Sequence, residues 1–239
     1  MKNDTVLGKR YKKRIGKWIP MYGILSLIGC FAINSFVYTG TQLLMKDAQH
    51  HNLTSSIDTK IPFIKEWIVI YLICYLFWII NYILIAREGL ESWYRFATAD
   101  LMSRLICGMF FILLPTTIIR PQVSGNDFFS WLVRLVYQLD RPTNLFPSIH
   151  CLVSWFCFIG IRKSVRISKW YKLFSCIFAI LVCVSTQFTK QHYLMDIVGG
   201  ILLAELCYYI TNHTQLYLYI ERIFEWIGQK VFGEAYYNE

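Results

Sequence analysis

Two histidines and an aspartate stand at the entrances of two strongly apolar stretches. His150 ends the segment RPTNLFPSIH, and His192 and Asp196 belong to the segment TKQHYLMD. If a helix begins near Thr189, His192 lies in its first turn and Asp196 lies four residues on, on the same helical face. A carboxylate beside an imidazole fixes the tautomer of the ring and supports a positive charge on it. An acid inside an apolar segment is costly without a partner, which makes Asp196 a candidate functional residue.

The segment PSIH resembles the start of a helix that binds an anion. Pro147 suits the first helical position. The side chain of Ser148 and the free N–H groups of the first turn then face the anion. His150 stands beside them. Basic side chains and helix N-termini, together with two histidines, describe a site in which a phosphate is attacked and expelled.

Each of these residues also has a purely structural interpretation. Ser148 is explained equally by helix capping, Asp196 by pairing with a lysine, and His150 by a hydrogen bond to a loop carbonyl. Taken singly, each residue is more often structural than catalytic. The chemical interpretation depends on their combination at one membrane face.

The elements that must position these residues are membrane helices. The chain has 239 residues, of which 56% are hydrophobic and 16% are charged, against about 25% charged in a typical soluble domain. We expect an all-α polytopic membrane protein, a six-transmembrane-helix bundle in which each span needs about 20 apolar residues. The expected spans are residues 18–40, 67–86, 101–119, 147–161, 173–188 and 192–211, of which the fourth and fifth are short.

The basic residues predict the topology. Seventeen of the 24 lysines and arginines fall in the two tails and in the expected loops 87–104 and 162–172, and seven fall on the other side. The positive-inside rule then puts both termini in the cytoplasm. His150, His192 and four basic residues, Arg120, Arg134, Arg141 and Lys190, come together on the outer side. A plasma-membrane protein with an extracytoplasmic site is expected.

The chain is expected to form a single membrane domain over residues 1–239. A basic cytoplasmic tail (1–17) precedes the six-helix core (18–211), and an amphipathic tail (212–239) follows it. The basic cluster KRYKKRIGK is expected to rest on anionic headgroups, so no nucleic-acid partner is expected. The eight cysteines lie within spans or at their edges and form no Cys-x-x-Cys pair. We therefore expect no disulfide and no metal site. Nothing in the sequence indicates an oligomeric state.

Two other segments have an expected form. The stretch NDFFSWLVRLVYQL (126–139) suits an interfacial helix that covers the site, or equally a re-entrant loop packed on the bundle. Gly200 and Ala204, four residues apart, suit close helix packing in the sixth span.

The motifs resemble the type 2 phosphatidic acid phosphatase superfamily. That family's signature is a basic motif ending in Arg-Pro, then Pro-Ser-x-His, then Ser-Arg-x5-His-x3-Asp. PSIH matches the second motif, and STQFTKQHYLMD matches the third at Ser185, His192 and Asp196. The resemblance covers roughly residues 113–204. The segments FPSIH, TKQHY and DIVGG are most similar to those of the branch that includes inositol phosphorylceramide synthase-like and many bacterial members.

This resemblance implies a role for each site residue. His192 is the nucleophile that forms a phosphohistidine, and Asp196 orients and activates it. His150 is the general acid that protonates the leaving oxygen, and Ser148 helps to hold the phosphoryl group. No cofactor is expected.

The arginines depart from the family pattern. The arginine of the third motif is replaced by Thr186, and we expect Lys190 to substitute for it as a point charge without the bidentate fork. The first motif fits Arg134 to Pro142, close to the second motif, or ends at Arg120-Pro121 without its leading base. Both Arg120 and Arg141 are expected near the phosphate.

The expected activity is hydrolysis of a lipid-linked phosphate or pyrophosphate at the outer leaflet. The expected partners are the lipid phosphate substrate and the surrounding membrane lipids. A headgroup phosphotransferase similar to inositol phosphorylceramide or sphingomyelin synthases is the first alternative. A transporter or binding protein on the same scaffold is the second, and the presence of His150, His192 and Asp196 argues against it.

Overall fold

The computed structural model describes residues 5–236 and is mostly helical. Its helices are α1 (Val6–Arg14), α2 (Met21–Leu44), α3 (Ile68–Ala86), α4 (Leu90–Leu113), α5 (Phe128–Leu139), α6 (Ile149–Ile161), α7 (Lys169–Phe188), α8 (Leu194–His213) and α9 (Tyr217–Phe232). Short 3-10 turns lie at Asp58–Lys60, Lys65–Trp67 and Gly233–Tyr236, and two short strands are β1 (His51–Asn52) and β2 (Thr116–Thr117).

Within residues 5–236, five helices are long and apolar enough to cross a membrane: α2, α3, α4, α7 and α8. This indicates an integral membrane protein. Each of the six expected spans overlaps a helix, but α6 has only 13 residues. At 1.5 Å per residue it is about 20 Å long, less than the hydrocarbon core of about 30 Å. The fifth span was expected to be short, which was wrong, because α7 begins at Lys169 and has 20 residues.

The third span is placed differently from the expectation. Residues 101–119 were expected to span the membrane after a loop at 87–104, whereas α4 runs from Leu90 to Leu113. Charged residues made the first part of this helix resemble a loop. Asp100 and Arg104 instead form an i,i+4 ion pair, with Nη2 of Arg104 2.7 Å from the carboxylate. The helix ends before Pro115, which disfavours helical geometry in the preceding residue.

The central packing brings α6 and α8 together. A buried cluster joins α4, α6 and α8 through residues such as Phe96, Leu152, Phe156 and Leu203. Gly200 of α8 faces α6 so closely that a Cβ there would lie 2.7 Å from the carbonyl oxygen of Ser148. The close packing expected at Gly200 is confirmed, and it brings the first turns of the two helices side by side.

The two ends of the described chain pack on each other. The hydroxyl of Thr5, which caps α1, donates to the carbonyl of Val231 in α9 at 2.9 Å. The rings of Tyr11 and Phe232 lie 5.3 Å apart. The expected helix in the C-terminal segment is confirmed as α9, which also packs on α2 and α4.

The loop after α2 and the loop after α4 are joined by a small sheet that the sequence did not predict. β1 and β2 pair in parallel, with His51 opposite Thr116 and Asn52 opposite Thr117. This pairing fixes the loop after α2 beside the loop after α4. Both loops then contact the start of α8.

Helix α5 is amphipathic and lies across the start of α3. Val133 and Val136 of α5 are buried against Ile68 and Tyr71 of α3. The opposite side exposes Phe128, Trp131 and Leu139. A helix in this stretch is thus confirmed, and its apolar outer side suits an interfacial position.

Candidate active site

The N-terminus of α6 presents Ser148 and His150. Ser148 is the N-cap, and its hydroxyl oxygen accepts a hydrogen bond from the backbone of Cys151 at 3.3 Å. Pro147 was expected at the first helical position, which is wrong because the helix begins at Ile149. Ser148 is fully buried, so in this structure its side chain serves the helix.

Asp196 holds His192 through the start of α8. One carboxylate oxygen, Oδ2, lies 3.1 Å from Nδ1 of His192 and accepts the backbone N–H of Tyr193 at 2.9 Å. The helix was expected to begin near Thr189, but it begins at Leu194. The pairing therefore comes from a capping interaction around Tyr193 and not from one face of a continuous helix. The aspartate is fully buried and the histidine is 8% exposed.

The loop before α8 is fixed from the α2–α3 loop. Oδ1 of Asp58 accepts the backbone N–H of Leu194 at 2.9 Å. The hydroxyl of Tyr193 lies 2.6 Å from the carbonyl of Thr117 and 2.8 Å from Oδ1 of Asn52. These contacts join three loops at the candidate nucleophile His192, and no sequence motif indicated Asp58 for this purpose.

His150 and His192 face each other. Their ring centroids are 6.0 Å apart. The backbone N–H of Ser148 donates to the carbonyl of Asp196 at 3.1 Å, which links the two helix starts directly. This distance puts both rings within reach of one small group bound beside them.

Aromatic residues of α3 hold the ring of His150. Tyr71 stacks on it with centroids 4.5 Å apart. The hydroxyl of Tyr75 lies 3.2 Å from Nε2, and Trp78 packs at 5.5 Å. The imidazole therefore has a defined position, although no sequence motif indicated these three residues.

A carboxylate at a position that no motif specifies, Asp140, also belongs to the site. The hydroxyl of Tyr38 donates to Oδ1 of Asp140 at 2.6 Å, and the hydroxyl of Tyr71 lies 3.4 Å from Oδ2. Asp140 directly follows α5 and precedes Arg141. It reaches the site only because α5 lies over α3, a contact that sequence spacing does not encode.

Arg120 is anchored at the C-terminal end of α5. Its guanidinium donates to the carbonyls of Asp140 at 2.6 Å and Tyr137 at 3.3 Å, and to the side chain of Gln191. Helix C-termini favour such a cation. The Nε atom of Arg120 and the Nε2 atom of Gln191 are buried and have no hydrogen-bond partner among residues 5–236. Buried donors of this kind are rare unless a ligand binds them.

Lys190 lies beside His192 in the chain and is held by the loop after α2. Its ammonium group donates to the carbonyls of Ile61 at 2.5 Å and Asp58 at 3.1 Å. Partial burial lowers its pKa, and the charge of Asp58 acts in the opposite direction. Thr186, which stands where the family has an arginine, is fully buried and donates to the carbonyl of Cys183 at 2.7 Å.

The other two arginines lie farther out. Arg134 donates to the carbonyls of Gly125 at 2.8 Å and Val123 at 3.2 Å. Arg141 is exposed. Neither lines either of the two cavities that contain His192.

The electrostatics of His192 favour its protonated form. Burial by itself lowers the pKa of this histidine, but the hydrogen bond that it donates to Asp196 and the negative charge of Asp196 outweigh burial, and the pKa is raised. Because Nδ1 faces the carboxylate, the other ring nitrogen is the one left for chemistry.

Two cavities meet at His192. The first, here called the His150 cavity, has a volume of about 290 Å³ and includes Tyr38, Tyr75, Asp140, His150 and Gln191 in its lining. The second, called the Arg120 cavity, has a volume of about 510 Å³ and includes Asn52, Asp58, Arg120 and Lys190. His192 is thus accessible from a side with a second histidine and a side with two cations.

In this helical membrane protein a buried histidine–aspartate pair, a facing histidine and two adjacent cations lie together, a set of groups suited to chemistry on a phosphoric ester. The family model of the PAP2 superfamily matches residues 62–210, and the chain belongs to that superfamily. This confirms the resemblance drawn from PSIH and the third motif and extends it to α3 and α4. Membership indicates a phosphatase or phosphotransferase activity. No curated protein and no solved structure shows significant similarity to the chain.

Proposed function

We propose that the protein hydrolyses a lipid-linked phosphate or pyrophosphate at the outer leaflet, with His192 as the nucleophile. The observation that carries the proposal is the pair of His192 and Asp196 facing His150 across 6.0 Å at two adjoining helix starts. A nucleophile oriented by a carboxylate, with a proton donor opposite, is the arrangement that covalent phosphoryl transfer needs.

The first chemical step transfers the phosphoryl group to the protein. Nδ1 of His192 stays protonated and donates its hydrogen bond to Asp196. The lone pair of the other nitrogen, Nε2, therefore attacks phosphorus. A P–N bond forms and the bond from phosphorus to the lipid oxygen breaks. His150 gives a proton to that oxygen, and the lipid alcohol leaves.

The second step returns the protein to its first state. His150, now neutral, takes a proton from water, and the resulting hydroxide attacks phosphorus. The P–N bond breaks, inorganic phosphate leaves, and both histidines recover their starting protonation. Asp196 keeps the ring orientation through both steps.

Cations stabilise the charge on the phosphoryl oxygens. Arg120 and Lys190 share a cavity with His192, and the unpartnered Nε of Arg120 and Nε2 of Gln191 are donors for an anion. Arg134 and Arg141 contribute to the positive field at the mouth of the site. Ser148 acts through the helix N-terminus, whose free N–H groups attract an anion.

The second candidate is a phosphotransferase, and the observation favouring it is the meeting of two cavities at His192. A transferase needs a donor and an acceptor on either side of one nucleophile. The same phosphohistidine then passes to a lipid hydroxyl in place of water. A hydrolase remains the leading proposal because the Arg120 cavity places two cations, Arg120 and Lys190, beside His192.

One experiment tests both. Purified protein is given a lipid phosphate labelled with ³²P together with an unlabelled lipid alcohol, and all products are separated. Free labelled phosphate as the main product supports hydrolysis, and label mainly in a new phosphodiester lipid establishes the transferase. Rapid acid-free quenching should also show label on the protein, absent in His192→Ala. A fully active His192→Ala variant would overturn both proposals.

A further inference from the structure

A third cavity opens between α2 and α3 and continues the His150 cavity into the apolar part of the bundle. The two helices meet at one end, where the hydroxyl of Tyr22 donates to the carbonyl of Ala86 at 2.7 Å. Above that contact lies a groove of about 370 Å³, lined mainly by apolar side chains such as Leu27, Phe31, Ile79, Ile83 and Val153.

The groove and the His150 cavity share lining residues. Asn34, Tyr75 and Trp78 contribute to both, and Tyr75 also contacts His150. A molecule bound at the histidines can therefore extend along the groove without leaving the protein. A hydrocarbon tail suits the apolar lining of the groove, because contact between the tail and the lining removes the apolar surface of each from water.

The floor of this groove carries an incompletely bonded ion pair. Oδ1 of Asp100 accepts both Nη2 of Arg104 at 2.7 Å and the hydroxyl of Tyr82 at 2.9 Å. The two charged residues are 1% and 4% exposed. Oδ2 of Asp100, Nε and Nη1 of Arg104 and Oδ1 of Asn34 have no hydrogen-bond partner among residues 5–236.

The unpaired atoms of Asp100, Arg104 and Asn34 favour a particular kind of ligand group. Leaving buried donors and acceptors unpaired is costly, more so when they are charged. A group that both donates and accepts, such as a hydroxyl or a secondary amide, satisfies a carboxylate oxygen and a guanidinium N–H together. A plain methylene chain satisfies neither. Tyr75 and Tyr82 are seven residues apart on α3, which places the ion pair about 10 Å along the helix from His150.

We propose that Asp100 and Arg104 form a recognition site for a hydroxyl or amide group in the lipid part of the substrate. This rests on the proposed function, since it assigns the tail of the lipid phosphate to the α2–α3 groove. The substrate class is then a lipid phosphate bearing a hydroxyl or amide about 10 Å from phosphorus, and not one with a purely hydrocarbon tail.

The test compares two matched lipid phosphates, one with a hydroxyl about 10 Å from phosphorus and one with a methylene there. The wild type should turn over the hydroxylated lipid with a kcat/KM about tenfold higher, the effect of one hydrogen bond to a charged partner. In the double variant Asp100→Leu/Arg104→Met, whose side chains neither donate nor accept a hydrogen bond, this preference should disappear. Both charges are replaced together because a single buried charge without its partner is strongly destabilising.

Controls separate this inference from the proposed function. Glu205→Gln perturbs another ion pair, with Arg162 at 2.7 Å, and should keep the preference. A photoreactive hydroxylated lipid alcohol should crosslink to residues 27–34 and 75–83 even in His192→Ala, which needs no turnover. Equal turnover of both lipids by the wild type, or crosslinks confined to other helices, overturns the recognition site alone. Absence of turnover of any lipid phosphate contradicts the proposed function instead.

Discussion

The oxygen of Asp196 that holds His192 at 3.1 Å is the same oxygen that closes the first turn of α8. One carboxylate thus orients the imidazole and ends the loop that carries it. Stability of the helix start and orientation of the nucleophile are therefore coupled in this protein.

The pH dependence of activity should report this pair. Because Asp196 raises the pKa of His192, the neutral ring exists only at pH values above a pKa that exceeds the usual value of about 6.5. We expect kcat/KM to fall as the pH drops through that raised pKa. Asp196→Asn lowers the pKa of His192, so its acidic limb should move to lower pH.

The Asp196→Asn variant should also lose rate at every pH. Loss of the orienting carboxylate in a related type of triad costs about 10⁴ in kcat, and we expect a loss of about 10² to 10⁴ here. The asparagine oxygen can still accept the N–H of Tyr193, so thermal unfolding should change little. An unmoved acidic limb would show that Asp196 does not set the pKa of His192.

His150→Ala should show a dependence on the leaving group. A lipid alkoxide is a poor leaving group and needs a proton from His150. Nitrophenolate leaves without one. We expect a loss of about 10² or more in kcat for a lipid phosphate and a much smaller loss for nitrophenyl phosphate. Equal losses with both substrates would remove the assignment of His150 as proton donor.

Gly200→Ala should damage the site from a distance. Its Cβ would lie 2.7 Å from the carbonyl oxygen of Ser148, so α6 and α8 must separate and carry His150 away from His192. We expect lower activity and a loss of about 1–3 kcal/mol in unfolding free energy, as for other overpacked sites.

A matched glycine provides the control for that substitution. Gly40 of α2 has open space where a Cβ would be placed. Gly40→Ala should leave activity unchanged and should not destabilise the protein, since alanine is the better helix former. Equal damage from both substitutions would indicate a general effect of the added methyl group.

Arg120 and Arg141 should contribute unequally to activity. Arg120 shares a cavity with His192, and Arg141 is exposed. We expect Arg120→Ala to reduce kcat/KM for a lipid phosphate by about 10² or more, the effect of one donor to a developing charge. Arg141→Ala should cost less than tenfold, because an exposed charge acts weakly. The reverse order would place the first motif at Arg141.

Sidedness is testable with single cysteines. Ser124 is exposed in the loop before α5, and Val165 is 97% exposed in the loop after α6. An impermeant thiol reagent should label Ser124→Cys from outside and Val165→Cys only after permeabilisation. The eight native cysteines are buried or half-buried, so the wild type provides the background. Reversed labelling would put the site in the cytoplasm.

The sequence by itself determined the class of protein. The features that led to this class are local patterns: the apolar stretches, His150, and the spacing of His192 and Asp196. Local patterns can be recognised in a sequence without knowing how the helices pack. They predicted helices at all six expected spans and the family that the match over residues 62–210 confirmed.

Only the tertiary structure decided which other groups lie near His192. Arg120 contacts Gln191 across 71 positions of the chain, and Lys190 contacts Asp58 across 132. Asp140 belongs to the site because α5 lies over α3. The start of α4 was missed because Asp100 and Arg104 resemble loop residues until they pair in a buried helix. Contacts between distant segments depend on how helices and loops pack, and that packing cannot be predicted from composition and periodicity.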